Sequence, residues 1–298
     1  MTTIFVGVDV GGTKTSAVVG SATEVLSRAN GVGAAVRPGR ALASAQTIAE
    51  VARKALAAAG SLSAHAMVVG AAGAGRATER EELQRALASE KIADQVQVTT
   101  DIELALVAAF GKEPGIVLSA GTGSIALGRD TTGATHRAGG YGWQMGDEGS
   151  GYGIGRSALG AVSRAHDGRG PATKLTLRVM AGAKARSFDD LINWATVATP
   201  ADIASLAPGV MEMSAHGDAV AQGIVDYAVR ELVLLATALA PLTGKTTTPV
   251  ALSGGLLGEE GLLRSAVTTK LREAGGVSVR EEPVEGALGA LAMAREMV

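Results

Sequence analysis

One pattern occurs twice in this chain, and it limits the folds that the chain can adopt. A β-rich run, Ile4–Val10, leads into the glycine-rich segment Gly11–Thr13 and then into a second β-rich run. Ile116–Ala120 leads in the same way into Gly121–Gly123 and another such run. Each copy is typical of a strand, a tight hairpin and a second strand. Two copies, each opening a half of similar size, indicate an internal duplication and two related α/β halves.

The patterns between these hairpins predict alternating strands and helices. The predicted strands are Thr3–Val8, Thr15–Gly20, Glu24–Ala29, Ala66–Ala71, Gln95–Thr99, Gly115–Ala120, Ser124–Arg129, Ala134–Arg137 and Pro249–Ser253. The predicted helices are Arg40–Gly60, Thr78–Ser89, Asp101–Phe110, Gly151–Ala165, Phe188–Thr196, Gly217–Leu239, Gly261–Ala274 and Glu285–Met297. A length of 298 residues favours two domains, at about 150 residues for each.

Composition excludes several functional classes. The net charge of −2 offers no positive surface for nucleic acid or an anionic membrane. The chain has no cysteine, which excludes disulfides, thiolate nucleophiles and cysteine-bound metal clusters. No apolar run reaches the ~20 residues that span a bilayer, and the N-terminus has no signal-peptide pattern. We therefore expect a soluble, cytoplasmic enzyme without nucleic-acid or membrane partners.

The two glycine-rich hairpins contain the residue types that bind phosphate. Glycines let the backbone approach an anion closely, successive N–H groups surround it, and threonine hydroxyls add donors. The first loop, Gly11–Lys14, adds a cation, whereas the second, Gly121–Gly123, does not. A third glycine turn, Gly254–Gly255, follows a predicted strand and would let a flat ligand pass close to the backbone. Ordinary turns remain the alternative for all three segments.

Two aspartates stand at the ends of predicted strands. Asp9 precedes the first loop, so its carboxylate would face bound phosphates and needs a cation such as Mg²⁺ between them. Asp101 follows the fifth strand, at the edge of a doubly wound sheet where ligands bind. There it is a candidate base that takes a proton from a hydroxyl group. A turn-capping role for Asp9, an N-cap role for Asp101 and Glu103 as the base remain alternatives.

The stretch from Gly139 to Tyr152 combines six glycines, three aromatic residues and two adjacent carboxylates. A glycine-rich loop with this composition is more typical of a binding site than of a purely structural connection. Asp147 is a candidate acceptor for sugar hydroxyl groups, with Gly142 and Trp143 beside it. For Trp143, a role as a core anchor is an equal alternative.

Together these motifs resemble the BadF/BadG-type ATPases and N-acetylglucosamine kinases of the sugar kinase–Hsp70–actin superfamily. The matching segments are Val6–Thr15, Thr100–Asp101, Ser119–Ser124, Gly139–Gly155, Leu252–Gly255 and Pro283–Ala287. They are distributed over essentially the whole chain, and Gly146–Ser150 is the most family-specific of them.

The resemblance implies two RNase H-like (actin-like ATPase) lobes with a nucleotide and sugar cleft between them. The lobes would be residues 1–111 with a closing helix from 285–298, and residues 112–284. ATP and Mg²⁺ are the implied cofactors, with Asp9 holding Mg²⁺ through water, and a homodimer is the implied assembly. The implied ATP-binding residues are Gly11, Gly12, Thr13, Lys14, Gly121, Thr122, Gly123, Gly254 and Gly255. The implied sugar-binding residues are Asp101, Asp147, Gly142 and Trp143, and Asp101 is also the implied base.

The implied reaction is phosphoryl transfer from ATP to the 6-hydroxyl of an amino sugar, with N-acetylglucosamine first. Glucosamine, N-acetylmuramic acid and glucose are the alternative acceptors. Family members that use N-acetylglucosamine commonly carry an Asn where Ala35 stands, and nearby Arg37 suits the carboxylate of N-acetylmuramic acid. Two further hypotheses are an activator of a radical dehydratase and a non-catalytic, nucleotide-gated regulator. The lack of cysteine argues against the activator, and the set of Asp9, Asp101 and Asp147 argues against the regulator.

Overall fold

The computed structural model describes residues 2–297 and divides the chain into two compact units. The first comprises residues 1–113 and 284–298, and the second comprises residues 114–283. Each unit is built on one five-stranded mixed sheet. Within residues 2–297, no helix is both long enough and apolar enough to cross a membrane.

The sheet of the first unit has the strand order β3-β2-β1-β4-β5. Its strands are β1 Phe5–Val10, β2 Lys14–Gly20, β3 Val25–Val32, β4 Ala64–Ala71 and β5 Ala93–Thr99. Its helices are α1 Ala41–Ala58, α2 Ala77–Ser89, α3 Asp101–Phe110 and, from the end of the chain, α11 Gly286–Arg295. β2 is antiparallel to both β1 and β3, whereas β1, β4 and β5 are parallel.

The two faces of this sheet carry different side chains because successive residues of a strand point to opposite faces. On one face of β1, Val6, Val8 and Val10 pack in the same buried cluster as Ile48 of α1. On the other face, Phe5 packs in a cluster with Leu291 of α11. Gly7 and Asp9 share the parity of Phe5, so Asp9 emerges on the face that α11 covers.

The second unit repeats this topology. Its strands are β6 Gly115–Ala120, β7 Ser124–Arg129, β8 Thr135–Gly139, β9 Thr248–Ser253 and β10 Val277–Val279. Their order, β10-β9-β6-β7-β8, is the order of the first sheet read from its other edge. The strand directions also match, because β6 is antiparallel to β7 and parallel to β9.

A group of helices separates β8 from β9 in the second unit. They are α4 Gly151–His166, α5 Leu175–Gly182, α6 Phe188–Val197, α7 Pro200–Ala204, α8 Ala207–Ala215 and α9 Ala219–Leu239, followed by a 3₁₀ turn at Ala240–Thr243. α10, Arg264–Ala274, lies between β9 and β10. The largest buried apolar cluster of the unit joins this group to β6, β7, β9 and β10. The sequence patterns did not predict α5, α7, α8 or β10.

Candidate active site

The parallel strands of the first unit bring their carboxyl ends to one edge of the sheet. Val10 of β1 pairs with Ala71 of β4, and Gly70 pairs with Thr99 of β5. Asp9 is the penultimate residue of β1, and Asp101 lies two residues beyond the end of β5. Both predicted carboxylates are therefore on this edge, as the sequence predicted from the strand ends.

Asp9 is a half-buried carboxylate at the start of α11. A Cβ atom added to Gly286, the first residue of that helix, would lie 2.5 Å from Oδ2 of Asp9. Burial, and then the negative charge of Asp101, raise the pKa of Asp9 to about 6, whereas the charge of Lys14 lowers it. The two aspartates therefore repel each other, and Lys14 offsets only part of this repulsion. The sequence analysis did not identify Gly286 as a neighbour of the site.

The N-cap of α3 is Thr100, so the alternative that Asp101 is the cap is wrong. The side chain of Thr100 accepts a hydrogen bond from the N–H of Glu103, and Glu103 bonds back to Thr100, which is a capping box. Asp101 is the first helical residue and lies outside this arrangement. Glu103 already accepts hydrogen bonds from Thr99 and Thr100, which leaves Asp101 as the better candidate for a base.

The carboxylate of Asp101 keeps most of its hydrogen-bonding capacity. Its Oδ1 accepts the N–H of Ile102 at 3.0 Å, and no side chain among residues 2–297 donates to it. Asp101 as a whole residue is exposed, but its carboxyl group has little contact with water. This burial raises the pKa of the carboxyl, and the charge of Glu103 raises it further. Backbone hydrogen bonds, including that of Ile102, lower it. A carboxylate with a raised pKa and a free oxygen has the properties of a general base.

The first glycine-rich loop is a tight hairpin with exposed polar side chains. The N–H of Gly11 bonds to the carbonyl of Lys14 at 2.9 Å, and Gly12, Thr13 and Lys14 are exposed. A Cβ atom on Gly33 would lie 2.2 Å from the carbonyl oxygen of Gly12. The backbone of the segment after β3 therefore packs closely against this loop. The sequence analysis missed this contact.

In the second unit, the predicted loops come together around the end of β6. The N–H of Gly151, at the start of α4, bonds to the carbonyl of Gly121 at 2.8 Å, and Tyr152 bonds in the same way to Thr122 at 3.1 Å. A Cβ atom on Gly121 would lie 3.8 Å from the backbone nitrogen of Gly255. The unit thus places the loop Gly121–Gly123, the start of α4 and the turn Gly254–Gly255 side by side.

Asp147 lies against this second loop. It is only 9% exposed, its φ is 66°, and its Oδ1 accepts the N–H of Ser124 at 3.2 Å. Burial raises the pKa of its carboxyl and the charge of Glu148 adds to this, whereas the hydrogen bond from Ser124 lowers it. No side chain among residues 2–297 donates to Oδ2, so that oxygen is free to accept a ligand hydroxyl.

Trp143 is not a core residue, which corrects that alternative. It is 47% exposed and Tyr141 is 57% exposed. The Trp143 ring contacts that of Tyr152, with centroids 5.6 Å apart. The guanidinium of Arg137 lies 4.7 Å from the centroid of the Tyr141 ring. Gly142 lies between the two exposed aromatic residues with a φ of 88°, so this loop presents ring faces to solvent.

The single carboxylate of Asp9 at this edge is compatible with a Mg²⁺ ion. Within residues 2–297, no three His, Cys, Asp or Glu side chains group together as ligands for a metal ion. Mg²⁺ needs only one or two carboxylates because water and phosphate oxygens supply its other ligands. Burial, and then the negative charge of Asp101, raise the pKa of Asp9, and a nearby divalent cation would act in the opposite direction by favouring the charged carboxylate.

A comparison with known families decides where the chain belongs. The model of the BadF/BadG/BcrA/BcrD ATPase family matches residues 6–294. The chain belongs to this family. The match includes both glycine-rich hairpins, Asp101, Asp147 and most of α11, so one family pattern spans both units.

Individual relatives agree with this membership. The chain is 35% identical, over 196 residues, to an N-acetylmuramic acid/N-acetylglucosamine kinase of Clostridium acetobutylicum. It is 32% identical, over 169 residues, to an N-acetyl-D-glucosamine kinase of Dictyostelium discoideum. These matches span 64% of this chain and 64% of the first relative, and 55% of this chain and 53% of the second.

A solved structure matches nearly the whole chain. The crystal structure of a proposed N-acetylglucosamine kinase from Chromobacterium violaceum is 29% identical, with a TM-score of 0.83. The match covers 97% of this chain and 98% of that one. The fold class predicted from the sequence, two RNase H-like units of the actin-like ATPase type, is confirmed.

Proposed function

We propose that this BadF/BadG-type protein is an ATP-dependent kinase that phosphorylates an amino sugar, with N-acetylglucosamine as the first candidate and its 6-hydroxyl as the acceptor. The observation that carries the proposal is the state of Asp101. It lies at the ligand-binding edge of the sheet, takes no part in the capping box of α3, and has a raised pKa. Asp101 is thus available to accept the hydroxyl proton as the phosphoryl group transfers.

The other predicted residues have complementary roles in this proposal. The loops Gly11–Lys14, Gly121–Gly123 and Gly254–Gly255 bind ATP through backbone N–H groups and threonine hydroxyls. Asp9 holds Mg²⁺ through water, and the ion neutralises phosphate charge when it is bound. Lys14 adds a positive charge beside Asp9, in keeping with its effect on the pKa of that carboxyl.

In this proposal, the residues that bind the sugar are those of the Gly139–Tyr152 stretch together with Asp101. Asp147 offers Oδ2 to a sugar hydroxyl while Oδ1 stays on Ser124. The exposed ring of Trp143, with Gly142 before it, provides an apolar face of the kind that packs on a sugar ring.

A coupled ADP-release assay over a panel of hexoses and amino sugars tests this proposal. We expect N-acetylglucosamine to give the highest kcat/KM, with glucosamine, N-acetylmuramic acid and glucose as the comparison substrates. ADP release that no sugar stimulates would contradict the kinase proposal and favour a nucleotide-gated regulator.

A specific observation supports N-acetylmuramic acid as a second candidate. The N–H of Val36 bonds to the carbonyl of Ala72 at 2.9 Å, which ties the segment after β3 to the end of β4. Arg37, the next residue, is exposed, and its side chain has no hydrogen-bond or ion-pair partner within residues 2–297. The Clostridium acetobutylicum relative is described as acting on both sugars. An unpaired guanidinium at this edge of the sheet can form hydrogen bonds with the lactyl carboxylate of N-acetylmuramic acid, a group that N-acetylglucosamine lacks.

Replacing Arg37 tests this second candidate. We expect Arg37→Ala to lower kcat/KM for N-acetylmuramic acid about 10- to 100-fold and to leave kcat/KM for N-acetylglucosamine unchanged, because a hydrogen bond to a charged group contributes about 1.5–3 kcal/mol. Arg40→Ala is the matched control, since Arg40 is also exposed and caps α1 without a side-chain hydrogen bond. Equal losses for both sugars, or an equal effect of Arg40→Ala, would rule out carboxylate recognition by Arg37.

The role of Asp9 predicts a change in metal dependence. Phosphoryl transfer should stop when EDTA removes divalent cations and return when Mg²⁺ is added. For Asp9→Asn we expect the half-saturating Mg²⁺ concentration to rise about 10- to 100-fold, the usual cost of losing an outer-shell partner of a metal. A Mg²⁺ titration of initial rates at saturating ATP measures this. An unchanged half-saturation point would remove Asp9 from the metal site.

A further inference from the structure

Glu103 connects the end of β5 to the start of α3. Its Oε2 accepts a hydrogen bond from Oγ1 of Thr99, the last residue of β5, and others from the N–H and Oγ1 of Thr100 at 3.0 and 2.8 Å. In return, the N–H of Glu103 donates to Oγ1 of Thr100 at 3.3 Å. Asp101 and Ile102 lie between these bonded positions, so the backbone is fixed on both sides of Asp101.

We propose that Glu103 is a positioning residue for Asp101: it binds the strand end and the N-cap together and so fixes the backbone that carries Asp101. The effect on turnover rests on the function proposed above, in which Asp101 is the base. Glu103 would act through the position of Asp101 rather than on the substrates. Catalysis is sensitive to such residues because a misplacement of about 1 Å can cost about 100-fold in rate.

This arrangement differs from the capping boxes elsewhere in the chain. At α6, Asp190 accepts from the N–H groups of Arg186 and Ser187. At α7, Asp202 accepts from the N–H and Oγ1 of Thr199. At α3, the carboxylate also holds the side chain of a residue within a strand. The extra bond joins the helix to the sheet, whereas both bonds to the Asp190 carboxylate lie at the start of α6.

Neighbouring groups keep this carboxylate in its charged form. Burial by itself would raise the pKa of Glu103, but the hydrogen bonds from Thr99 and Thr100 and the charge of Arg80 outweigh it, and the pKa is lowered. Arg80 belongs to α2, and its Nη1 donates to the carbonyl of Ala74 at 3.5 Å. Three donors on an ionised oxygen are stronger than the same bonds between neutral groups.

The first turn of α3 also packs closely on β4. The N–H of Leu104 bonds to the carbonyl of Thr100 at 3.3 Å. A Cβ atom on Gly70 would lie 2.2 Å from Cγ of Leu104 and 2.9 Å from the carbonyl oxygen of Thr100. The body of α3 is therefore held against β4. If the bonds to Glu103 are lost, we expect the added mobility to appear at the junction between β5 and α3, which carries Asp101.

Three variants test the proposal. Glu103→Ala removes the junction bonds, whereas Glu103→Gln keeps a side chain that can complete a capping box. Asp190→Ala is the matched control, because it removes a capping box from a helix that carries no predicted site residue. We expect Glu103→Ala to lower kcat about tenfold or more with an unchanged KM for ATP, Glu103→Gln to restore most of kcat, and Asp190→Ala to leave kcat unchanged.

Amide hydrogen exchange gives a second readout that does not depend on activity. Protection of the Ile102, Glu103 and Leu104 amides should fall in Glu103→Ala and recover in Glu103→Gln. Unchanged protection in Glu103→Ala, or a fall in kcat no larger than that of Asp190→Ala, would overturn the proposal. If the wild-type protein phosphorylates no sugar, that result counts against the proposed function, and the exchange data still decide whether Glu103 fixes the junction.

Discussion

Replacing Asp101 with asparagine should lower kcat by about 10²- to 10⁴-fold, the usual contribution of a general base. Asparagine has the same shape and keeps an oxygen that can accept the N–H of Ile102, which Asp101 binds at 3.0 Å. The capping box of α3 does not involve Asp101, so the helix should form normally. We therefore expect a folded protein that binds ATP with near-normal affinity by calorimetry and has almost no sugar-dependent ADP release.

The pH dependence of the wild-type protein provides a second test of the same role. A base must be ionised to act, so kcat/KM should fall as the pH drops through the pKa of Asp101. Because burial raises that pKa, the fall should begin at a higher pH than for an ordinary aspartate.

The control for this substitution comes from β5, the strand that precedes Asp101. Asp94 is exposed near the start of β5, and within residues 2–297 its side chain makes only a distant contact, 3.8 Å, with His65. Asp94→Asn should leave kcat and KM unchanged. Turnover near the wild-type level in Asp101→Asn would exclude Asp101 as the base, whatever the acceptor sugar.

Topology explains why the sequence could predict that the two carboxylates lie on one edge of the sheet. The repeated hairpin predicts a strand at each copy, and parallel strands that meet at their carboxyl ends bring the residues after them to one edge. Asp9 and Asp101 could be assigned to this edge without any information on side-chain packing. The same logic predicted the glycine loops, because both begin where β1 and β6 end.

The choice of helix cap depended on detail that sequence does not contain. Thr100 and Asp101 are adjacent and both residue types cap helices well, so the pattern alone does not decide between them. The backbone decides it, because Thr100 has an extended conformation and the helix starts at Asp101. The capping box with Glu103 was readable from the spacing Thr100-x-x-Glu103, and it was the signal that the sequence analysis missed.

Helices of fewer than ten residues were also hidden from sequence. α5, α7 and α8 have only 8, 5 and 9 residues, too few to show a clear 3.6-residue period. β10, with three residues, has no room to show alternation. The contacts of Gly33 and Gly286 join segments distant in the chain, so no local pattern reports them.

Gly7→Ala should be among the most destabilising single substitutions in the first unit. A Cβ atom on Gly7 would lie 2.2 Å from the backbone nitrogen of Leu291 and 2.4 Å from the carbonyl oxygen of Ala287. These are backbone atoms of α11, so no side-chain rotation can relieve the overlap. We expect α11 to move away from β1 at a cost of about 3 kcal/mol, at the upper end for overpacking. Urea unfolding, followed by exchange of the β1 and α11 amides, measures the loss.

The control substitution separates this steric effect from the general effect of adding a methyl group. Gly223 lies inside α9, is exposed, and has no atom within 4 Å of an added Cβ. Gly223→Ala should stabilise the protein by about 0.5–1 kcal/mol, because alanine favours the helix over glycine. A Gly7→Ala variant as stable as the wild type would show that β1 and α11 are not packed at backbone contact.

The same substitution should also weaken the site, since Gly7 and Asp9 lie on one face of β1. A Cβ atom added to Gly286, at the start of α11, would lie 2.5 Å from Oδ2 of Asp9, so a helix displaced from Gly7 also moves away from Asp9. The half-saturating Mg²⁺ concentration should then rise in Gly7→Ala, as in Asp9→Asn, although the carboxylate is intact. The Mg²⁺ dependence is measured under conditions in which the Gly7→Ala variant is folded. An unchanged half-saturating concentration would show that α11 does not position Asp9. In that case α11 stabilises the unit without contributing to the site.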